Sequence, residues 1–168
     1  RGPDAVLAPD ATHGQVVWRH QHKPKNAPSQ KMGLALHGDM VFVPTSDIHL
    51  LPLNAKSGEL IWDHEIASAT TTGPQTRPMA YQLRSPPLVV GDMMYIASPK
   101  PIYVYALDLT RDGVIMWEFR PDMNVELATQ QTCCGGQTRG IYYADGKLFY
   151  ATLDGQVFRL HAATPEAL

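Results

Sequence analysis

The stretch "PLNAKSGELIW", residues 52–62, decides the fold because variants of it recur along the chain. It has an Asn, a Gly four positions later and, after three more residues, a Trp. The same order is found in "APDATHGQVVW" at residues 8–18 and, with one inserted residue, in "ALDLTRDGVIMW" at residues 106–117. A fourth copy, "LHAATPEAL", begins at Leu160 and stops before any Trp. The tryptophans of the protein are those of the repeat, which indicates that the chain consists of repeated units.

The segments between these stretches also match one another. "MGLALHGDMVFVPTSDIHLLPLNAKSG" (residues 32–58) aligns with "RGIYYADGKLFYATLDGQVFRLHAATP" (residues 139–165), and residues 88–113 are a third version. Each version has short runs rich in Val, Ile, Tyr and Phe, which favour strands. Asp-Gly pairs between such runs are a strong hairpin signal. No stretch has a sustained helical period, so the sequence predicts an all-β fold.

A unit of about 40–50 residues with four short strands is typical of a propeller blade. The alternative is an all-β sandwich in which the repeat is accidental. We predict that residues 1–168 form part of a β-propeller of about three blades, since closed rings have roughly 4–8. The repeats end near residues 18, 62 and 117, and the fourth is truncated at 168. Trp18, Trp62 and Trp117 are expected to be mostly buried at equivalent positions.

Composition excludes two classes of function. The net charge is −2, and the basic residues form no patch with interleaved aromatic residues, so nucleic-acid binding has no support. No apolar run approaches the roughly 18 residues that a membrane-spanning helix needs.

The chain starts at Arg1 with no apolar leader, so we expect a mature, processed or partial chain. Such a section should be poorly stable alone or should associate, because its terminal blades expose faces meant for neighbours.

The repeat resembles the tryptophan-docking motif of the quinoprotein dehydrogenases. That resemblance implies an eight-bladed propeller that holds pyrroloquinoline quinone (PQQ). The motif also occurs in non-enzymatic PQQ-like propellers, such as the outer-membrane assembly lipoprotein that bears such repeats. The motif therefore leaves both an enzyme and a scaffold open.

The stretch "TQQTCCGGQTRG", residues 129–140, resembles the adjacent cysteines and following Arg-Gly pair of quinoprotein alcohol dehydrogenases. The resemblance implies that Cys133 and Cys134 form a vicinal disulfide over one face of PQQ, and that Arg139 contacts the cofactor. The residues alone also permit two free thiols in a loop and a surface salt bridge from Arg139. These three residues are the candidate cofactor-binding site.

The chain departs from this family in one place and lacks other parts of its site. Family members that oxidise alcohols have a Glu shortly before the strand that reads "PLVV", but residues 79–90 contain no carboxylate and Arg84 stands near the matching position. No segment matches the catalytic base or the ligands of calcium or a lanthanide, so the metal is expected from residues outside this chain. His20 and His22 could share one face of a strand and bind a metal, but with no third ligand evident a solvated strand end is the preferred interpretation.

The resemblance predicts a portion of a periplasmic, PQQ-dependent dehydrogenase. It would oxidise a small alcohol to a carbonyl and pass electrons to a cytochrome, with the remaining blades or other chains completing the ring. The alternative is a non-catalytic PQQ-like propeller that acts as a protein-interaction scaffold.

Overall fold

The computed structural model describes residues 5–23, 33–45, 47–66, 85–98, 102–124, 126–128 and 140–168. Within these ranges the regular structure is almost entirely β, which confirms the predicted fold class; a 3-10 turn at Leu109–Arg111 and a helical turn at residues 126–128 are the exceptions. The strands are β1 (Ala5–Pro9), β2 (Val16–Gln21), β3 (Ala35–His37), β4 (Met40–Pro44), β5 (His49–Asn54), β6 (His64–Glu65), β7 (Leu88–Val90), β8 (Met93–Ala97), β9 (Val104–Asp108), β10 (Val114–Phe119), β11 (Tyr142–Ala144), β12 (Lys147–Ala151) and β13 (Val157–His161). No helix in these ranges is long and apolar enough to cross a bilayer.

The strands form four antiparallel sheets in which neighbours in sequence are neighbours in space. The first sheet is β1-β2, the second β3-β4-β5-β6, the third β7-β8-β9-β10 and the fourth β11-β12-β13. Tight turns make this order possible. Between β11 and β12, for example, Asp145 and Gly146 have φ of 48° and 73°, and two consecutive positive φ values are what a type I′ hairpin turn requires.

The apolar core lies between the sheets. In β8, Met94 and Ile96 pack with the second sheet, whereas the alternate residues Tyr95 and Ala97 pack with the fourth. A smaller cluster joins the first sheet to the second. Both faces of the inner strands β8 and β9 are therefore buried, which explains why β8 is a continuous apolar run and not an alternating one. Each sheet depends on its neighbours for burial, as blades do in a propeller.

A tryptophan of one sheet lies against a glycine of the next. A Cβ added at Gly58 would be 2.6 Å from Cε3 of Trp18, and one added at Gly113 would be 2.5 Å from Cη2 of Trp62. The Nε1 of Trp18 also donates a hydrogen bond to the Ala55 carbonyl oxygen at 2.8 Å. The repeat therefore supplies a contact between successive sheets.

Only one of the tryptophans is as buried as the sequence led us to expect. Trp117 is 9% exposed and packs 5.9 Å from Tyr95 in the cluster between the third and fourth sheets. Trp18 and Trp62 are half-buried.

Candidate functional site

The first strands of the second, third and fourth sheets begin next to one another. A Cβ on Gly33, which precedes β3, would be 2.8 Å from Cγ of Pro86, which precedes β7. A Cβ on Gly140, which precedes β11, would be 3.8 Å from Oγ of Ser85. We call Gly33, Ser85, Pro86 and Gly140 the entry cluster. It joins the points at which three connecting segments enter three successive sheets.

The entry cluster contains one polar side chain, that of Ser85, and ranges from the buried Ser85 to the exposed Pro86. Ser85 is fully buried, and its hydroxyl donates to the Pro86 carbonyl oxygen at 3.3 Å. Gly140 has a φ of +133°, which side-chain-bearing residues rarely adopt. At Gly33 the short distance to the proline ring leaves no room for a side chain. The backbone therefore needs glycine here for two different reasons, conformation at Gly140 and space at Gly33.

The cofactor residues predicted from the sequence, Cys133, Cys134 and Arg139, lie outside the described residues, as does Arg84. Their chain neighbours are described. Arg139 is bonded to Gly140 and Arg84 is bonded to Ser85, the two residues that meet in the entry cluster.

Two Thr-x-Asp turns lie at the same end of the sheets. They join the second strand of a sheet to its third, at residues 45–47 and 152–154, and antiparallel order places this turn at the end where the first strand begins. In the second sheet the Thr45 amide donates to the His49 carbonyl at 2.8 Å, and the Thr45 hydroxyl donates to Asp47 at 2.6 Å. In the fourth sheet Thr152 makes the corresponding bonds to Gln156 and Asp154.

Each of these turns binds the segment that follows the last strand of the preceding sheet. His22, which follows β2, places Nε2 2.9 and 3.1 Å from the two carboxylate oxygens of Asp47. Asn124, which follows β10, donates its backbone N–H to Asp154 Oδ2 at 2.9 Å. The side-chain Nε2 of Gln156 donates to the Asp122 carbonyl at 3.0 Å. The Thr-x-Asp turns thus connect neighbouring sheets at this end.

The interpretation of His22 as a solvated strand end is wrong. Its side chain is 16% exposed and faces the carboxylate of Asp47, which is 5% exposed. The sequence did contain a signal for this site, since "TSD" and "TLD" occupy matching places in aligned repeats. Among the residues that the structure describes, no group of three His, Cys, Asp or Glu side chains could hold a metal ion.

Hydrogen bonding and burial shift the acidity of two groups beside the second turn. Hydrogen bonds from the Thr152 hydroxyl and then from the Gln156 amide lower the pKa of Asp154 to about 2. Burial raises the pKa of Tyr150, whose hydroxyl has no hydrogen-bond partner in the described part of the chain. Asp154 is therefore a fixed acceptor over the whole neutral range.

Comparison with sequence families and curated proteins gives a consistent result. The model of the family PQQ_2, described as "Outer membrane protein assembly factor BamB", matches residues 2–164. The lanthanide-dependent methanol dehydrogenase of Methylacidiphilum fumariolicum is 47% identical over 83 residues, which are 49% of this chain and 13% of that protein. The 1-butanol dehydrogenase (cytochrome c) of Thauera butanivorans is 30% identical over 115 residues, or 68% of this chain and 15% of that protein. The chain thus matches only a small part of the length of these relatives.

Solved structures show the same fold. The quinohemoprotein alcohol dehydrogenase ADHIIG of Pseudomonas putida HK5 superimposes with a TM-score of 0.74 at 19% identity, covering 99% of this chain and 31% of that one. BamB from Moraxella catarrhalis superimposes with a TM-score of 0.72, also at 19% identity, covering 98% of this chain and 45% of that one.

Proposed function

The chain belongs to the PQQ_2 family, and from that premise we propose that it is a section of a PQQ-dependent alcohol dehydrogenase. The whole protein oxidises a small alcohol to a carbonyl in the periplasm and passes the electrons to a cytochrome. The observation that carries the proposal is the proximity of Gly140 to Ser85, since a Cβ added at Gly140 would lie 3.8 Å from Ser85 Oγ. In the sequence, Arg139 directly precedes Gly140 and the cysteine pair lies six and seven positions before it. The similarity to methanol and butanol dehydrogenases supplies the reaction class.

The ring is completed by further blades, on this chain's continuation or on other chains. Gly14 supports this: its φ of +71° is close to the +75° of Gly58 and the +72° of Gly113, but no atom of the described residues lies within 4 Å of where its Cβ would be. In the later repeats a tryptophan of the preceding sheet covers this place. The first sheet, with β1 and β2 alone among the described strands, is also two strands short of the second and third. By family resemblance the closed ring has eight blades.

The donor chemistry near the entry cluster suits PQQ. The cluster itself contains no charged side chain. Binding of an anionic quinone there would therefore depend on charged residues that adjoin the cluster in the sequence. Arg139 is bonded to Gly140, and a guanidinium group binds carboxylate and quinone oxygens in forked geometry. When bound, PQQ supplies the two-electron acceptor for alcohol oxidation.

This chain's own residues hold the cofactor and do not activate the substrate. Arg139 would donate hydrogen bonds to PQQ, and Cys133 and Cys134, joined as a vicinal disulfide, would offer a flat surface to it. An oxidising periplasm keeps such a bond intact. The catalytic base and the ligands for calcium or a lanthanide come from residues outside this chain.

The test combines mass spectrometry with cofactor titration. Unreduced, unfolded protein treated with an alkylating reagent is expected to show no free thiol, and the native protein is expected to bind PQQ saturably in an absorption or fluorescence titration. Replacing Arg139 by Ala should weaken binding about tenfold or more, the order of a lost charge-assisted hydrogen bond. The matched control is Arg159→Ala, which removes an exposed arginine from β13 and should leave the affinity unchanged. Two alkylatable thiols would disprove the disulfide, and equal effects of the two variants would disprove the role of Arg139.

The second candidate is a cofactor-free propeller that acts as a protein-interaction scaffold. It is favoured by the lack of any carboxylate in residues 79–90 and by the description of the matching family as an outer membrane protein assembly factor. The absorption spectrum of the native assembly discriminates the two, because bound PQQ absorbs in the near ultraviolet. A spectrum with no such band, combined with no PQQ binding on titration, selects the scaffold.

A further inference from the structure

The sequence contains three Asp-Gly pairs, and the structure surrounds each of them differently. They are Asp112-Gly113 before β10, Asp145-Gly146 between β11 and β12, and Asp154-Gly155 between β12 and β13. Such a pair can isomerise, because glycine has no side chain to shield its backbone nitrogen from the preceding carboxyl group. The reaction needs a free amide and a mobile carboxyl group, so the contacts of each pair decide where it proceeds in the folded chain.

In the first pair the glycine is held. Gly113 is buried, and its N–H donates to the Asp108 carbonyl oxygen at 2.9 Å. A Cβ in its place would lie 2.5 Å from Cη2 of Trp62, so the indole covers it closely. The side chain of Asp112 is exposed, but attack by the Gly113 nitrogen would first have to break the hydrogen bond and move the glycine away from the indole.

In the third pair both partners are held. The carboxylate of Asp154 accepts hydrogen bonds from the Thr152 hydroxyl, the Gln156 side-chain amide and the Asn124 N–H. The N–H of Gly155 donates to the Thr152 carbonyl oxygen at 3.2 Å. The hydrogen bonds from Thr152 and then Gln156 lower the pKa of Asp154 to about 2, which reduces the protonated form that can lose its hydroxyl as water.

The second pair has neither restraint. Asp145 is exposed, and its carboxylate makes no hydrogen bond or ion pair with any residue that the structure describes. Lys147 Nζ donates to the main-chain carbonyl oxygen of Asp145, at 3.2 Å, and not to its carboxylate. Within the described ranges the N–H of Gly146 also has no acceptor. Both reacting groups are therefore available without prior loss of a contact.

The corresponding turns of the second and third sheets have the two residues in the reverse order. Gly38-Asp39 joins β3 to β4 and Gly91-Asp92 joins β7 to β8, so a methionine follows each aspartate. These methionines are the first residues of β4 and β8 and pair with the third strand of their sheets. Of these three turns, only that of the fourth sheet places glycine after aspartate.

We propose that Asp145 is a modification site at which the folded chain converts to isoaspartate. The Gly146 nitrogen attacks Cγ of Asp145. The N–Cγ bond forms, the Cγ–OH bond breaks, and the hydroxyl leaves with the amide proton as water. Water then opens the succinimide ring: addition at Cγ restores aspartate, whereas addition at the main-chain carbonyl leaves the chain linked through Cγ, as isoaspartate. No electrons are transferred, and water is the co-reactant.

The product should loosen the fourth sheet. Isoaspartate adds a methylene carbon to the main chain of a hairpin turn that depends on φ values of 48° at Asp145 and 73° at Gly146. The Gly146 carbonyl oxygen accepts from the Ala162 N–H at 2.9 Å, so the same change disturbs the link between this turn and the segment after β13.

The experiment follows isoaspartate at all three pairs of the same chain at mildly acidic pH. One sample is kept folded, as verified by circular dichroism, and a second is unfolded in guanidinium chloride. Cleavage after Arg111, Arg139, Lys147 and Arg159 places the pairs in separate peptides, in which mass spectrometry with electron-transfer fragmentation measures isoaspartate.

In the unfolded sample the three rates should agree within a factor of about two, since the contacts that distinguish the pairs are lost. In the folded sample Asp145 should react within roughly threefold of its unfolded rate. Asp112 and Asp154 should be slowed about tenfold or more, because their contacts must open first. Slowing of Asp145 by as much as Asp112 and Asp154 overturns the proposal, and so do equal rates at the three pairs of the folded sample.

Asp145→Glu is the matched control, because it keeps the charge but would have to close a larger ring. It should form no detectable product at this position while the rates at Asp112 and Asp154 stay unchanged. After equal incubation, the unmodified chain should unfold at a lower urea concentration than it did when fresh, and Asp145→Glu should not. An equal shift in both chains would disprove the effect on the hairpin.

Discussion

Three copies of the repeat close a turn through the same kind of glycine hydrogen bond, the third with one inserted residue, but among the described residues a tryptophan covers only two of them. The N–H of Gly14, Gly58 and Gly113 donates to the carbonyl of Asp10, Asn54 and Asp108 at 2.8, 2.8 and 2.9 Å, and each glycine has a positive φ. Trp18 lies against Gly58 and Trp62 against Gly113, whereas none of the residues that the structure describes fills the space beside Gly14. The local sequence thus sets the conformation of the turn, whereas a tryptophan from the preceding sheet decides whether the glycine position has room for a side chain.

The largest effect is expected for Gly113→Ala. The new Cβ would lie 2.5 Å from the Trp62 ring, and φ is +72°. Steric overlap and backbone strain together should lower the free energy of unfolding by about 2–5 kcal/mol, which urea titration followed by circular dichroism measures. A loss no larger than that of Gly14→Ala would show that the tryptophan contact does not constrain the turn.

Removal of the Trp62 ring should make a side chain at Gly113 as well tolerated as one at Gly14. Trp62→Ala alone should lower the free energy of unfolding by about 2–3 kcal/mol. This is less than for a fully buried tryptophan, because Trp62 is half-buried. In that background, Gly113→Ala should cost only about 1 kcal/mol, the strain of the positive φ. A double-mutant cycle measures this coupling, and strict additivity would contradict the proposed overlap.

Gly14→Ala should have a small effect. In the described part of the chain no atom lies within 4 Å of the new methyl group, so the positive φ of +71° is what opposes the substitution. We expect a loss of about 1 kcal/mol in the same urea titration. A much larger loss in this chain would mean that the open place is covered in solution, for instance by a tryptophan from another copy.

The smallest effect concerns the acidic residue of the turn. Hydrogen bonding from the Thr110 hydroxyl, followed by that from Arg111, lowers the pKa of Asp108 below its ordinary value of 3.8. A lowered pKa in the folded state contributes stability above pH 4, and this contribution is lost as the pH falls through the lowered value. Asp108→Asn should therefore show a weaker fall in stability below pH 4 than the unmodified chain.

The control for this pH dependence is already present in the second repeat. Asn54 accepts from the Lys56 N–H at 2.9 Å as Asp108 does from Thr110, but it carries no charge. Asn54→Asp should add a fall in stability below pH 4, the opposite of Asp108→Asn. Acid titrations of the unmodified chain and the two variants, followed by tryptophan fluorescence, test both expected changes. Identical profiles would contradict the contribution of the Asp108 carboxylate to the pH dependence.

The strands and turns were predictable because their causes are local. Runs such as "MVFVP" and "KLFYA" and the Asp145-Gly146 pair encode strands and a hairpin within a few residues. The candidate site was harder to predict from the sequence. The cysteine pair and Arg139 were found by resemblance and remain a prediction, and the interaction of His22 with Asp47 was missed because its partners are 25 residues apart.

The sequence by itself determined the repeat, the all-β class and the glycine turns, since hydrogen bonds and allowed φ values within one unit suffice for them. Only the tertiary structure decided which glycines are covered, how the entry cluster forms and what each Thr-x-Asp turn binds. The reason is that these contacts join successive sheets. Asp47 and Asp154 have matching neighbours in sequence, yet one binds an imidazole and the other a backbone amide. The difference depends on which chain leaves the preceding sheet.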